Sequence, residues 1–480
     1  MSENLPFETV GLVRRVNFNT LVIIAGRAVS LVLSAGTSVL LVRYLGNEQL
    51  GQYGAVYAYV ALFEWIAIFG MWQILQREAS KQRERAGEIL LTGSATVLVF
   101  SLLAFSLALI IAPFLKYDGG LRWLVVIAAV DTLLLSSLRS FGIIFQVDLR
   151  QSYTVSISTV RQVLWLIVLV TFTWLKANLI AVVFGRLTCS IVEAVILFSC
   201  AARFMRLRWP QDWSLAIRIV RESWPIALSS LFIGIYHRVD QIMLHRLASA
   251  KDLGYYVAAV NLTELFSVLP VALMSSAFPI LCQVVDQPGR FARYLEFCYR
   301  YLMAAVFGIC IAVSFGAFPL VRLLYGEDFQ PSGSILAVLI WSEVSVFFGV
   351  VISNGLIALG LQGYTTLTTA VGALTNIGLN LVFIPRWRGI GAAWATVISY
   401  SLTGMLLFAV FPETRRIATQ GLTWVLKCLV LSIVIVGALW FVPLSTISQA
   451  LIGLGAYFTG IVLTGIVSKA DYKKLLRSMT

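Results

Sequence analysis

Charge is scarce in this 480-residue chain: 12% of residues are charged and 59% are apolar. A soluble core could not absorb that much apolar surface, so an ordinary globular enzyme is excluded. Histidine is nearly absent, with two copies, and the six cysteines stand at no metal-ligand spacing. Metal chemistry therefore has no sequence support, and the cysteines read as small apolar packing residues. The chain also lacks a Gly-rich loop ending in Lys-Ser/Thr, a Gly-x-Ser-x-Gly elbow and a His-Glu-x-x-His pair. It is thus no ATPase, serine hydrolase or zinc protease of the known patterns. No polar loop is long enough to hold a catalytic domain. The pattern predicts no enzyme and no cofactor.

What is abundant is hydrophobic run. Apolar stretches of about 20 residues follow one another from Leu21 to Val467, each long enough to cross the bilayer as a helix. Mean hydropathy is +0.88. The expected fold is all-α integral membrane, with about 14 transmembrane helices. The first stretch is too long and too late for a cleaved signal peptide. With the N-terminus inside, inner loops hold more than twice as many Lys and Arg as outer loops, so both termini are expected in the cytoplasm. The net charge of +13 follows from that bias and from anionic headgroups. The basic residues are scattered over many loops, which argues against nucleic acid as a partner.

Two features divide the chain. The stretch from Ala202 to Glu222 is polar and basic. Trp209, Trp213, Ile217 and Val220 share one side, opposite Arg218 and Arg221, which predicts an amphipathic helix on the inner leaflet. The second feature is an internal repeat. A shift of 203 residues places Arg43 on Arg246, Leu50-Gly51 on Leu253-Gly254, Tyr53 on Tyr256, Ala55 on Ala258 and Phe63 on Phe266. Both copies start from the same side of the membrane, so the repeat is parallel. The expected organisation is a six-helix bundle over 1–202, a linker over 203–222, a second six-helix bundle over 223–411, and two extra helices with a tail over 412–480.

Polar residues inside the runs form stripes at helical spacing. Arg27 begins one with Ser30, Ser34, Thr37 and Ser38; Tyr53, Tyr57 and Glu64 form a second. His237, Arg238, Asp240, Gln241 and His245 lie in the seventh stretch, and Asn261, Glu264 and Ser267 in the eighth, ahead of Pro270. Pro270 is expected to kink its helix. Glu343 and Asn354 align, as do Thr365, Thr369, Asn376 and Asn380. Single Ser and Thr residues more often bond their own backbone than line a pore. Arg139 and Arg161 sit near inner ends and are expected to snorkel, while Glu193 is expected to pair with Arg186. Arg238 with Asp240 also reads as a structural pair. Arg27 and Glu264 lie midway along their stretches, where a charge is expensive and functional by default. The stripes belong to the repeat-related hairpins, which points to a water-filled central cavity.

At these residues the chain resembles oligosaccharide flippases of the polysaccharide-transport family. That family moves undecaprenyl-linked O-antigen or exopolysaccharide units across bacterial inner membranes. It shares a superfamily with multidrug and toxin extrusion antiporters and lipid II flippases. The resemblance rests on Val42-Arg43-Tyr44-Leu45-Gly46 followed by Leu50-Gly51 and Tyr53. It also rests on Tyr236-His237-Arg238-Val239-Asp240-Gln241 leading into Leu253-Gly254-Tyr255-Tyr256, and on Asn376 and Asn380 ahead of Ile384-Pro385 and Gly389 to Ala393. It implies two six-helix bundles that open alternately to each side, and a cationic lumen for a pyrophosphate-linked glycan. The implied lumen residues are Arg27, Arg238, Glu264, Tyr57, Glu64, Asp240, Asn261, Asn376 and Asn380, with Glu264 best placed for ion coupling. The coupling ion, H+ or Na+, is left open. Implied partners are the polyprenyl-pyrophosphate-linked glycan, membrane lipids and the polymerase and glycosyltransferase machinery. The lipid II flippases carry arginines clustered in the first two spans, where this chain has Arg27 and Arg43. Competing readings are a multidrug or cation antiporter, a lipid II flippase, and a polyprenyl-glycan polymerase or ligase. The last needs a large outer loop that this chain lacks.

Overall fold

The computed structural model describes residues 7–115, 119–148, 150–205, 214–442 and 445–466, with side chains from residue 29 onward apart from 114, 115, 119 and 440. Within these residues all regular structure is helical. Apolar helices satisfy every backbone polar group internally, which a lipid-facing segment requires. Ten helical stretches among the described residues are long and apolar enough to cross a membrane, or eleven when the bent pair Glu327–Leu339 and Ser342–Ala358 is one span. Two of the ten, Val29–Lys81 and Gly363–Ala409, are about twice the length of one crossing. The chain is a multi-pass membrane protein.

The long stretches break where the backbone leaves helical geometry. α1 (Phe7–Ala61) breaks at Gly46, with φ 67° and ψ 179°, a conformation open mainly to glycine. α16 (Gly363–Ser401) breaks at Arg388, with φ 49°. The eighth predicted stretch becomes α11 (Ala250–Glu264) and α12 (Val268–Gln283). The break at Leu265–Ser267 lies just before Pro270, which occupies the first turn of α12, where its missing N–H matters little. Asn178 caps α9 (Leu179–Phe204) by accepting from Ala181 N at 2.9 Å. Ser249 caps α11 by accepting from Asp252 N at 3.1 Å.

The chain forms two compact units. Unit 1 comprises Met1–Leu45 and Gln52–Arg238; unit 2 comprises Gly46–Gly51 and Val239–Thr480. In unit 1, α3 (Met71–Lys81), α4 (Ala86–Ile111) and α7 (Ile143–Val147) contribute Met71, Leu75, Ile89 and Phe145 to one core. α10 (Ser214–Leu247) joins that core through Leu215 and Ile219. Leu215 and Ile219 are buried and Ile217 is 71% exposed. Trp209 and Trp213 lie outside the described residues. Arg77 on α3 pairs with Glu222 on α10. In unit 2, α13 (Pro288–Tyr325) is the central helix, flanked by α14 (Gln330–Leu339), α15 (Ser342–Ala358), α17 (Pro412–Trp440) and α18 (Thr446–Leu463). Tyr299, Phe307, Phe347 and Phe348 fill its core. Large apolar side chains such as Ile167, Val170, Leu426, Val430 and Ile433 remain exposed, forming a surface suited to lipid.

Candidate functional site

In unit 1 the charges at membrane depth are gathered into one network. Asp131 sits in a π-helical turn, Val130–Leu134, a geometry that widens a helix and recurs at functional sites. Its carboxylate is 2% exposed. Arg186 on α9 reaches it at 3.2 Å and Arg139 at 3.6 Å. Tyr57 donates its hydroxyl to the same carboxylate at 3.3 Å. Arg186 also donates to the Tyr53 hydroxyl and lies 4.1 Å over the Tyr57 ring, a cation–π contact. Glu193 on α9 pairs with Arg161 at 3.2 Å and with Arg139 at 3.7 Å, Arg161 coming from α8 (Gln151–Leu175). Three arginines therefore share two carboxylates. A buried charge is tolerated when paired and hydrogen-bonded, which accounts for the clustering.

These contacts correct two sequence expectations. Arg139 and Arg161 do not snorkel; they turn inward to Asp131 and Glu193. Glu193 pairs with them, and Arg186 goes to Asp131. Arg186 and Glu193 lie on one helix seven residues apart, but carboxylates and arginines from α8 and the π-turn lie closer than the helix-mate.

Glu64 begins α2 (Glu64–Ile68) and is exposed. It lines a cavity of about 100 Å³ with Trp72, Thr132, Ser136, Arg139 and Ser140. Arg139 and Arg238 both lie within electrostatic reach of Glu64. The structure thus brings Tyr57, Glu64 and Arg238 into the neighbourhood of one network. Arg27 lies in α1, but its side chain is outside the described residues.

In unit 2 the polar residues follow another plan. Asp240 is buried and accepts from the Tyr256 hydroxyl and from Gln241 N at 2.7 Å. The Tyr256 and Thr396 hydroxyls lie 3.4 Å apart. Ser399 donates to the Thr396 carbonyl at 3.1 Å, Asn376 donates to Ser399 Oγ at 3.0 Å, and Asn380 donates to Asn376 Oδ1 at 2.8 Å. Asn376 and Asn380 are 0% exposed, so both are enclosed within unit 2. Asn380 Oδ1 has no hydrogen-bond partner. Thr396 and Ser399 escaped the sequence reading because small hydroxyls on a membrane helix carry no distinctive signal, and Tyr256 was read there as a repeat position rather than as a site residue. A third cluster joins Ser267 to the buried Glu343, with its hydroxyl 3.0 and 2.9 Å from the two carboxylate oxygens. Glu264 is exposed and close enough to interact electrostatically with Glu343. Asn261 is half-buried on α11. Among the described residues no group of three or more His, Cys, Asp and Glu is arranged to hold a metal ion.

Residues 17–285 match the family model described as polysaccharide biosynthesis protein. The chain is similar to the probable flippase AglR of Haloferax volcanii, 27% identical over 279 residues, which covers 55% of this chain and 57% of that protein. This chain thus spans just over half the length of that relative. It is also similar to the probable low-salt glycan biosynthesis flippase Agl15 of the same organism, 21% identical over 91% of this chain and 93% of that protein. In fold it resembles the lipid II flippase MurJ in an inward closed conformation, with TM-score 0.72 and 17% identity, covering 93% of this chain and 98% of that one. The chain belongs to the polysaccharide biosynthesis protein family.

Proposed function

We propose that this protein flips a lipid-linked oligosaccharide, with undecaprenyl pyrophosphate as the carrier and an O-antigen or exopolysaccharide unit as the glycan. It would do so by alternating access in a bacterial inner membrane, with both termini cytoplasmic and the polymerase and glycosyltransferases as neighbours. The observation that carries the reading is the excess of arginine at membrane depth in unit 1, where Arg139, Arg161 and Arg186 share Asp131 and Glu193. A diphosphate is best held by arginine, which stays charged and binds in two-pronged fashion. Arg27 and Arg238 are the groups proposed to meet it, with Tyr57 and Asn261 available to sugar hydroxyls. The prenyl tail can remain in lipid. The names of the similar proteins, which are glycan and lipid II flippases, favour the same substrate class. Lipid II itself is the weaker choice, because the first two predicted spans hold few arginines. The Glu264–Glu343 neighbourhood favours a second reading, a cation-coupled antiporter.

Export of surface polysaccharide in a flippase-deficient strain separates the two. Arg27→Ala and Arg238→Ala should each weaken substrate binding by ~1.5–3 kcal/mol, the scale of a hydrogen bond to a charged group. Lys should restore Arg in part. Glu264→Gln should matter less. Full export by a well-expressed Arg27→Ala, Arg238→Ala double variant would sink the diphosphate reading, and dominance of Glu264→Gln would favour the antiporter. Labelling a single cysteine at position 83 with an impermeant reagent from outside would overturn the orientation.

A further inference from the structure

In unit 1 two predicted spans lose their regular backbone beside one cavity. α1 ends at Ala61, the chain resumes as α2 at Glu64, and it breaks again at Phe69 and Gly70 before α3. Phe69 has φ 48° and Gly70 has φ 65°. A left-handed phenylalanine is uncommon and persists where the surroundings over-determine it. Gly70 sits so close to α10 that an added Cβ would lie 2.7 Å from the Ile226 side chain. The other span carries the π-turn Val130–Leu134. Irregular backbone at membrane depth is tolerated where it is buried in protein or lines a cavity. Here Glu64 from α2, Trp72 from α3 and Thr132 from the π-turn line one cavity with Arg139.

The lining selects the chemistry of the occupant. Glu64 and Arg139 face the cavity without an ion pair between them, which leaves an acceptor and a donor on one space. Arg139 is already shared by Asp131 and Glu193, so its charge is not spare for a phosphate. A phosphate would also lie against the Glu64 carboxylate, and a cation would meet Arg139. The occupant that uses both groups is neutral, with hydroxyls that donate to Glu64 and accept from Arg139. Thr132 adds a hydroxyl, while Trp72, Ile68 and Val97 supply an apolar side. A sugar ring has this combination, polar at its edge and apolar on the C–H face that an indole can cover. The cavity, at about 100 Å³, is smaller than the ~300 Å³ at which pockets for drug-sized ligands begin, so it admits one ring. Glu64 is exposed and the Arg139 side chain is 34% exposed, so both groups can be reached.

We propose that this cavity is a subsite for one neutral sugar ring, stacked on Trp72 and hydrogen-bonded between Glu64 and Arg139. The proposal rests on the flippase reading and adds to it that sugar and diphosphate are received by different residues.

The test places the full chain in lipid nanodiscs, free of sugar detergents. It is titrated with the methyl glycosides of glucose, galactose, mannose and N-acetylglucosamine under saturation-transfer NMR. At least one should receive saturation through its ring C–H protons. Its affinity should fall by about tenfold in Glu64→Gln, the scale of one hydrogen bond to a charged group. Trp72→Ala should weaken it similarly, and Trp72→Tyr should keep part of it. Inorganic pyrophosphate should not displace it. Folded wild-type protein that binds none of the four would overturn the subsite. So would variants Glu64→Gln and Trp72→Ala that bind as the wild type does, or displacement by pyrophosphate. If Trp72→Ala does not fold, Glu64→Gln and Trp72→Tyr decide. Export tells the two readings apart. A wild-type chain that binds a glycoside here but exports no polysaccharide would sink the flippase reading and leave the subsite. Normal export by a well-expressed Glu64→Gln, Trp72→Ala double variant would remove the subsite and leave the flippase reading.

Discussion

Tyr53 and Tyr256 occupy equivalent places in the two repeats, and both hydroxyls are in use, but for charges of opposite sign. Tyr53 accepts a hydrogen bond from Arg186; Tyr256 donates one to Asp240. Around Tyr53 the network continues through arginines and carboxylates beside a cavity. Around Tyr256 it continues through the neutral Thr396, Ser399, Asn376 and Asn380, all buried. A phenol can donate or accept, so the duplicated scaffold keeps its tyrosine while the partner changes charge. One unit is thereby made cation-rich and the other acid- and amide-lined. The same fold position serves two electrostatic purposes, which composition averaged over the chain conceals.

The comparison can be broken at several points. The largest effect is expected at Arg186. Arg186→Gln leaves Asp131 buried beside a more distant Arg139, and loss of one partner of a buried pair destabilises by ~3–5 kcal/mol. Thermal unfolding in detergent should show it, and adding Asp131→Asn should recover part of the loss, since neighbouring sites are not additive. Unchanged melting of Arg186→Gln would mean the network is not structural.

The tyrosines come next. Tyr256→Phe removes a donor from a buried carboxylate and should be destabilising by ~1.5–3 kcal/mol, as for hydrogen bonds to charged groups. Tyr53→Phe should cost less, about 0.5–1.5 kcal/mol, because Arg186 keeps Asp131 and the face of Tyr57. The reverse order would show that the two tyrosines are not specialised as described.

The smallest effect concerns Glu222, half-buried on α10. Its hydrogen bond to Arg77 holds the carboxyl below its ordinary value. A lowered folded-state value means the contribution is present above the ordinary carboxylate range and is lost as pH falls through the folded value. Glu222→Gln should therefore narrow the stability difference between neutral and acidic pH slightly, measured as melting temperature. A wider difference in the variant would reverse the sign of the argument.

Much of the fold is legible in the chain because a bilayer imposes simple rules. Runs of about 20 apolar residues have one stable form in lipid. Pro270 marks a bend, displaced a few residues toward the N-terminus. The site is less legible. The stripes containing Tyr57, Glu64 and Arg238 lie near the unit 1 network, but helical spacing cannot say which arginine reaches which carboxylate. Arg139 and Arg161 were expected to snorkel because their positions lie near the ends of their spans, and position along one helix says nothing of a neighbour's charge.

By itself the sequence determines that this is a polytopic helical membrane protein, since hydropathy is a property of one chain read in order, and the 203-residue shift points to a repeat. It also determines the family, through short motifs that need no partner to be recognised. Only the tertiary structure decides that Asp131, Arg139, Arg161, Arg186 and Glu193 form one network, that Asn376 reaches Ser399 and Asn380 reaches Asn376, and that Gly51 and Gly254 lie against the backbone of Ala250 and Asn47. Those pairings join residues tens to hundreds of positions apart. Coulomb attraction and hydrogen bonding in a low-dielectric interior reward proximity in space, and proximity in space is what folding, rather than the order of residues, creates.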